Sequence, residues 1–111
     1  MRRITSTVYN AKGLMTSYRS DFISCDFDFD TPGKHYGSVH LDYSNDAGVS
    51  RVFPIPIISI NNRNGPTVVL TAGSHGNEDE GQLILRQLIA DISPEDIRGR
   101  IIALPALNYP A

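Results

Sequence analysis

The sequence predicts an α/β fold in which a mostly parallel sheet follows an antiparallel hairpin. Three observations support this: two turn-bounded strand patterns within 32–66, a β-branched apolar run at Thr67–Ala72, and a helical apolar period after that run. Strand, helix and strand in that order form one right-handed crossover unit. We therefore expect residues 67–111 to begin an α/β domain and residues 32–66 to precede it as a hairpin extension.

The amino-terminal segment 1–31 has the weakest pattern, because neither a strand nor a helix period is sustained there. We expect an irregular, extended lead-in with one short strand at most. Asp26, Asp28 and Asp30 alternate with aromatic residues, which predicts a strand with one solvated face. They also match the start of a calcium loop, but Thr31 stands where that loop needs glycine, so we reject a calcium site.

The hairpin is predicted from turn signals and alternation. A Pro-Gly turn at 32–33 precedes residues 36–43, whose polarity alternates as in a half-buried strand. After a polar loop, the second strand spans Val49–Ile60. Pro54 and Pro56 lie within it, and because proline lacks an amide donor, they favour an edge strand and hence a peripheral hairpin.

The crossover unit begins with Thr67–Ala72, which is short and nearly all apolar, as is typical of a central strand covered on both faces. From Gln82 onward the apolar spacing predicts an amphipathic helix. Its apolar residues are Leu85, Leu88, Ile89 and Ile92. Ser93 and Pro94 suit the cap and first position of a short helical turn, after which Ile101–Leu104 predicts a second buried strand.

Composition narrows the class of protein. The 111 residues carry 10 Lys+Arg and 12 Asp+Glu, a net charge of -2, and 41% are hydrophobic, which is typical of one soluble globular domain. The sequence contains no basic stripe of the kind that would predict nucleic-acid binding. No apolar run approaches the roughly 20 residues of a membrane span, and no signal peptide is visible. The lone Cys25 cannot form an intrachain disulfide, so we expect a cytoplasmic protein.

The segment Gly73–Gly81 contains the most informative side chains. It follows the carboxyl end of the predicted central strand and opens the helix, where open α/β sheets place their ligands. His75 and Glu78 are the candidate metal ligands, because imidazole nitrogen and carboxylate oxygen both bind zinc and this spacing can bring them to one ion. Alternatively, the acidic residues 78–80 only complement the positive end of the helix dipole.

Other reactive side chains are weaker candidates. Glu80 could act as a general base, but a carboxylate at a helix start is more often a cap. Asn77 could orient a substrate, yet asparagine is common in glycine-flanked turns. His35 and His40 lie in the hairpin, where an outward polar residue is expected rather than a ligand. Cys25 has no basic neighbour in sequence, which favours a small, partly buried thiol over a nucleophile.

The motif carries a family resemblance. Its residues are Gly73, His75, Gly76, Glu78 and Gly81, in the pattern G-x-H-G-x-E-x-x-G. This resembles the succinylglutamate desuccinylase and aspartoacylase family of zinc-dependent deacylases, relatives of the metallocarboxypeptidases. The resemblance extends through 65–67 and 105–108. Further upstream, residues 27–28 and 33–37 are similar to the amino-terminal extension of a branch that acts in ectoine breakdown.

The resemblance implies the amino-terminal part of a zinc-peptidase-like sheet, with His75 and Glu78 as two of three Zn²⁺ ligands. It implies metal-assisted hydrolysis of the amide bond of a small N-acylated amino acid. The third ligand, the general base and the substrate-binding side chains are expected beyond Ala111, so we expect no catalytic residue here and an inactive chain on its own. A missing carboxy-terminal segment and a homo-oligomer are the open alternatives.

The sequence also allows a function of another class, a non-catalytic binding or assembly module that uses the sheet edge. An exposed edge offers unpaired backbone groups to a partner, and Pro54 and Pro56 would blunt it. Zinc retention separates the two hypotheses, because two ligands alone bind weakly whereas a completed site holds metal through dialysis.

Overall fold

The computed structural model describes residues 2–9, 15–44, 48 and 50–108, which form one mixed sheet with one α-helix. In chain order the elements are β1 (Arg2–Tyr9), β2 (Met15–Cys25), β3 (Gly33–Ser44), β4 (Ser50–Asn62), β5 (Thr67–Thr71), α1 (Asp79–Asp91), a 3₁₀ turn (Pro94–Asp96) and β6 (Gly99–Leu104). The strand order is β1-β2-β3-β4-β6-β5. The α/β class is confirmed, and the parallel pairing of β5 with β6 completes the predicted crossover. The described sheet is mostly antiparallel rather than mostly parallel, because β1 to β4 pair in antiparallel fashion and β4 also pairs antiparallel with β6.

The amino-terminal segment is more regular than predicted. Instead of an irregular lead-in, β1 and β2 form an antiparallel ladder that pairs Arg2 with Cys25 and Tyr9 with Met15. The register shifts once within this ladder. Between the pairs Arg3–Ser24 and Thr5–Arg19 the ladder passes over more residues of β2 than of β1, and such an irregularity interrupts the two-residue period by which a strand is recognised in sequence.

Residues 26–32 form a loop, so the predicted strand with one solvated face is wrong. The Asp28 carboxylate accepts a hydrogen bond from the amide of Asp30 at 2.9 Å. The Asp28 carbonyl accepts another from the amide of Thr31 at 3.1 Å. Such local hydrogen bonds give the backbone an alternative to a strand ladder, which explains why the alternating pattern does not form one.

This loop covers one face of the sheet. The side chains of Asn61 and Arg100 both donate to the carbonyl of Phe29, at 3.4 and 3.0 Å. Along their strands they alternate with Ile60 and Ile101, which face the α1 side of the sheet. Because successive strand residues point to opposite faces, the loop lies on the face opposite α1.

β3 and β4 form the predicted hairpin, paired from Gly33 and Asn61 to Ser44 and Ser50. β4 is nevertheless interior rather than peripheral, because Ile58–Asn62 also pair with β6. Pro54 and Pro56 precede that stretch, so their missing amide donors fall where β4 pairs with β3 alone in the described sheet. The edge preference of the prolines therefore holds for only the first part of the strand.

β5 lies at an edge of the described sheet, so the central position predicted for Thr67–Ala72 is not seen among the described strands. β5 pairs with β6 on one side, and Val68 and Val69 are 47% and 57% exposed. Leu70 packs against the core beneath α1. An apolar run predicts that both faces of a strand are buried, but it does not predict which strands pair with it.

The core lies between α1 and the central strands. Its buried members are Ile58, Ile60, Leu85, Ile89 and Ala103. The helix starts at Asp79, ahead of the predicted Gln82, and Leu88 is 43% exposed although its spacing predicted burial. The stripe of buried apolar residues on α1 is narrower than predicted, because the helix packs against one face of the sheet and is buried on that side alone among the described residues. Among the described residues, no helix has the length and apolar character needed to cross a bilayer.

Candidate functional site

The loop between β5 and α1 is tied to the chain that leaves β6. The amide of Ala72 donates to the carbonyl of Leu104 at 3.0 Å, which extends the parallel ladder by one bond. The amide of Leu107 returns a bond of 2.8 Å to the carbonyl of Ala72. The amide of Asn108 then donates to the carbonyl of Gly73 at 3.0 Å. The two segments that follow neighbouring strands are thus fixed to one another.

Gly73 permits this close approach. Its φ of 70° lies in the left-handed region that favours glycine. A Cβ at this position would lie 2.9 Å from the Cα of Ala106 and 3.2 Å from side-chain atoms of Gln82. The first glycine of the motif is therefore explained by backbone conformation and by packing against two neighbours.

His75 and Glu78 follow on the exposed part of the loop. The amide of Glu78 donates to the carbonyl of His75 at 3.2 Å, which closes a turn between the two residues. Both side chains are exposed, so a solute can approach the imidazole and the carboxylate directly. The predicted ligands therefore share one turn at the carboxyl end of β5, where α/β sheets bind their ligands.

The acidic residues at the helix start divide into two groups. Asp79 and Glu80 lie in the first turn of α1, where negative charge complements the helix dipole. Glu78 occupies the N-cap position, and among the described residues its side chain makes no capping hydrogen bond. Dipole complementation thus accounts for Asp79 and Glu80 and leaves the Glu78 carboxylate available for another partner.

The donor set suits half of a zinc site. The imidazole of His75 and the carboxylate of Glu78 are both common zinc ligands, and a protein zinc site takes at least one more. Within the described ranges, no group of three or more His, Cys, Asp or Glu side chains is placed to hold a metal ion. The chemistry of the two residues fits zinc, and their role as ligands stays a prediction.

The other two histidines have partners in the hairpin region. The Nε2 of His35 donates to the carbonyl of Pro32 at 2.8 Å. The Nε2 of His40 donates to the Asp26 carboxylate at 2.7 Å, and the amide of Ser38 donates to the same carboxylate at 2.7 Å. These bonds, that from His40 first, lower the pKa of Asp26.

Cys25, Asn77 and Glu80 occupy positions that do not require a catalytic role. Cys25 is buried, and this burial raises the pKa of its thiol, so the reactive thiolate is disfavoured. Asn77 and Glu80 are exposed, the former in the turn after His75 and the latter in α1. Their roles as turn and dipole residues account for both.

Sequence reasoning missed Asn108 and Gln82, which contact the loop from either side. The side-chain amide of Asn108 donates to the carbonyl of Ser74 at 3.3 Å. That of Gln82 donates to the carbonyl of Glu78 at 3.4 Å. Asn108 lies within the 105–108 segment that carried the family resemblance, which was the available signal.

A polar cleft lies at the other end of the crossover strands. Its volume is about 460 Å³, and Arg63, Thr67 and Arg100 contribute to its lining. Within it, Arg100 donates to the Asp30 carboxylate at 3.0 Å and to the hydroxyl of Thr67 at 3.3 Å. Because His75 follows the carboxyl end of β5 and Thr67 begins that strand, the cleft is not part of the candidate site.

Comparison with known proteins identifies the family that this chain resembles. Residues 64–111 match the family described as the succinylglutamate desuccinylase/aspartoacylase catalytic domain. A curated relative, the N-alpha-acetyl-L-2,4-diaminobutyric acid deacetylase of Halomonas elongata, is 38% identical over 89 residues, which make up 80% of this chain and 26% of that protein. The family resemblance predicted from the glycine-bounded motif is confirmed.

Solved structures share the fold. A succinylglutamate desuccinylase/aspartoacylase from Rhodobacter sphaeroides is 42% identical with a TM-score of 0.71, over 82% of this chain and 28% of that one. The product-bound ectoine utilization protein EutE (DoeB) from Ruegeria pomeroyi is 39% identical with a TM-score of 0.74, over 85% of this chain and 29% of that one. The chain therefore spans less than a third of the length of these relatives.

Proposed function

We propose that this chain is part of a zinc-dependent deacylase that hydrolyses the amide bond of a small N-acylated amino acid. The observation that carries the proposal is the loop after β5, which holds His75 and Glu78 in one solvent-exposed turn. The deacetylase of Halomonas elongata supports the reaction class, and the EutE structure supports a role in ectoine utilization. A cytoplasmic location is part of the proposal.

The chain contributes binding and placement. His75 would hold the metal through an imidazole nitrogen and Glu78 through its carboxylate. When bound, zinc supplies Lewis-acid polarisation of the acyl carbonyl and activation of water. The third ligand, the general base and the side chains that choose the substrate lie outside the described residues in this proposal. Asp79 and Glu80 remain with the helix dipole.

The test uses the full-length natural protein, dialysed without chelator. We expect retained zinc in stoichiometric amount and acetyl release from N-acetyl-2,4-diaminobutyrate, the substrate suggested by the Halomonas elongata relative. His75→Ala and Glu78→Gln should each lose metal and activity, whereas His35→Gln, which alters a histidine bonded to Pro32, should keep both. Unchanged zinc content in His75→Ala would contradict the proposal.

A binding or assembly role is the second candidate, and one observation favours it. β5 forms an edge of the described sheet with Val68 and Val69 about half exposed, so its backbone and apolar side chains are open to a partner. The same dialysis experiment separates the two functions. A full-length natural protein that retains no zinc and releases no acetate would favour the binding role.

A further inference from the structure

We infer that Asn108 is a positioning residue that fixes the orientation of the backbone immediately before His75. This inference rests on the proposed function and adds to it a residue outside the ligand motif. Asn108 bonds to two consecutive carbonyls of the loop, through its backbone amide to Gly73 at 3.0 Å and through its side chain to Ser74 at 3.3 Å.

The loop requires such a restraint because of the residue at its start. Gly73 has no side chain that could limit its rotation, and its left-handed conformation turns the chain sharply before Ser74. Ser74 immediately precedes His75, so the orientation of the peptide group between them sets the position of the His75 backbone from which the imidazole extends. The carboxamide of Asn108 holds that peptide by its carbonyl oxygen.

The other candidate ligand is restrained by a different element. Gln82, one helical turn into α1, donates to the carbonyl of Glu78 at 3.4 Å and also lies against Gly73. The start of the loop between β5 and α1 is thus held by the segment after β6, and the end of that loop is held by α1. Groups that orient the ligands of a metal site affect its affinity without touching the ion.

Asn108→Asp is the most informative substitution. The carbonyl of Ser74 can only accept a hydrogen bond, and an ionised aspartate of the same shape can only accept too, so the bond is lost without a change of volume. Asn108 is exposed, so no cavity is opened. The added negative charge would by itself attract a cation, and a loss of zinc affinity therefore cannot be a charge effect.

The experiment measures zinc affinity of the full-length natural protein by competition with a chromogenic chelator, together with the visible absorption spectrum of the Co²⁺ form. We expect Asn108→Asp and Asn108→Ala to weaken zinc binding about tenfold and to alter the Co²⁺ spectrum. Asn108→Gln, which keeps the donor, should recover part of the affinity. Asn64→Asp, an exposed asparagine near the opposite end of β5, is the matched control.

Two results would overturn the inference without overturning the proposed function. The first is wild-type zinc affinity and Co²⁺ spectrum in Asn108→Asp while His75→Ala loses metal, which leaves the proposed function intact. The second is a thermal midpoint that Asn108→Asp lowers in the metal-free protein by as much as in the zinc-bound protein, which would make Asn108 a general structural residue. A wild-type protein that binds no metal at all would overturn the proposed function itself, and the inference with it.

Discussion

The Nζ of Lys34 donates a hydrogen bond of 2.7 Å to the carbonyl of Ile92, which joins β3 to the end of α1. A longer contact of 3.5 Å reaches the carbonyl of Ala90. The last turn of α1, described in full, contains no basic residue. The positive charge that complements the carboxyl end of this helix is therefore supplied by the sheet, 58 positions away in sequence.

Lys34→Met should destabilise the protein by about 1 kcal/mol, because it removes this charge and leaves helix carbonyls without their donor. The measurement is urea unfolding followed by circular dichroism. Lys34→Arg should retain most of the stability, and Arg86→Met, on the exposed side of α1, should change it little. Equal stability of Lys34→Met and the wild type would show that the bond contributes nothing.

Gly73→Ala should cost about 1 to 3 kcal/mol, since alanine is strained at a φ of 70° and its Cβ would press on Ala106. Gly81→Ala is the matched control within the same motif. There the nearest atom to a new Cβ is that of Ala72 at 3.5 Å, an ordinary contact. Because alanine is the better helix former, Gly81→Ala should be neutral or stabilising. Thermal unfolding of both variants tests the contrast.

Acid stability should depend on Asp26, whose pKa is lowered chiefly by the hydrogen bond from His40. A carboxyl with a lower pKa in the folded state stabilises the protein above its unfolded pKa, about 3.9, and loses that contribution as pH falls through the lower value. Asp26→Asn should therefore be less stable than wild type near neutrality, and the gap should close in acid. Urea midpoints across this range measure it, and a gap independent of pH would refute it.

Ile89→Ala should destabilise the protein by about 2 to 5 kcal/mol, because it opens a cavity in the core. Ile89 is 1% exposed and lies between α1 and the sheet. The control is Leu83→Ala in the same helix, where the side chain is 65% exposed and the expected change is within about 0.5 kcal/mol. Similar losses in the two variants would mean that the outer face of α1 is covered in solution.

The crossover unit could be predicted from sequence because β5, α1 and β6 each carry their own local period. The neighbours of β5 could not, since the strand order depends on pairings between distant segments. The same limit applies to the candidate site. His75 and Glu78 stand out within one short motif, whereas the bond from Asn108 to Ser74 spans 34 positions and has no local signature.

β4 is shared by two ladders, and this sets an order of assembly. Its ladder with β3 joins segments close in sequence, whereas its pairing with β6 encloses all of β5 and α1. Because the entropy lost on closing a loop grows with its length, we expect the hairpin to fold first and to serve as the template for the crossover unit. Any opening that releases β6 would then expose Ile58 and Ile60 to water while the template stays intact.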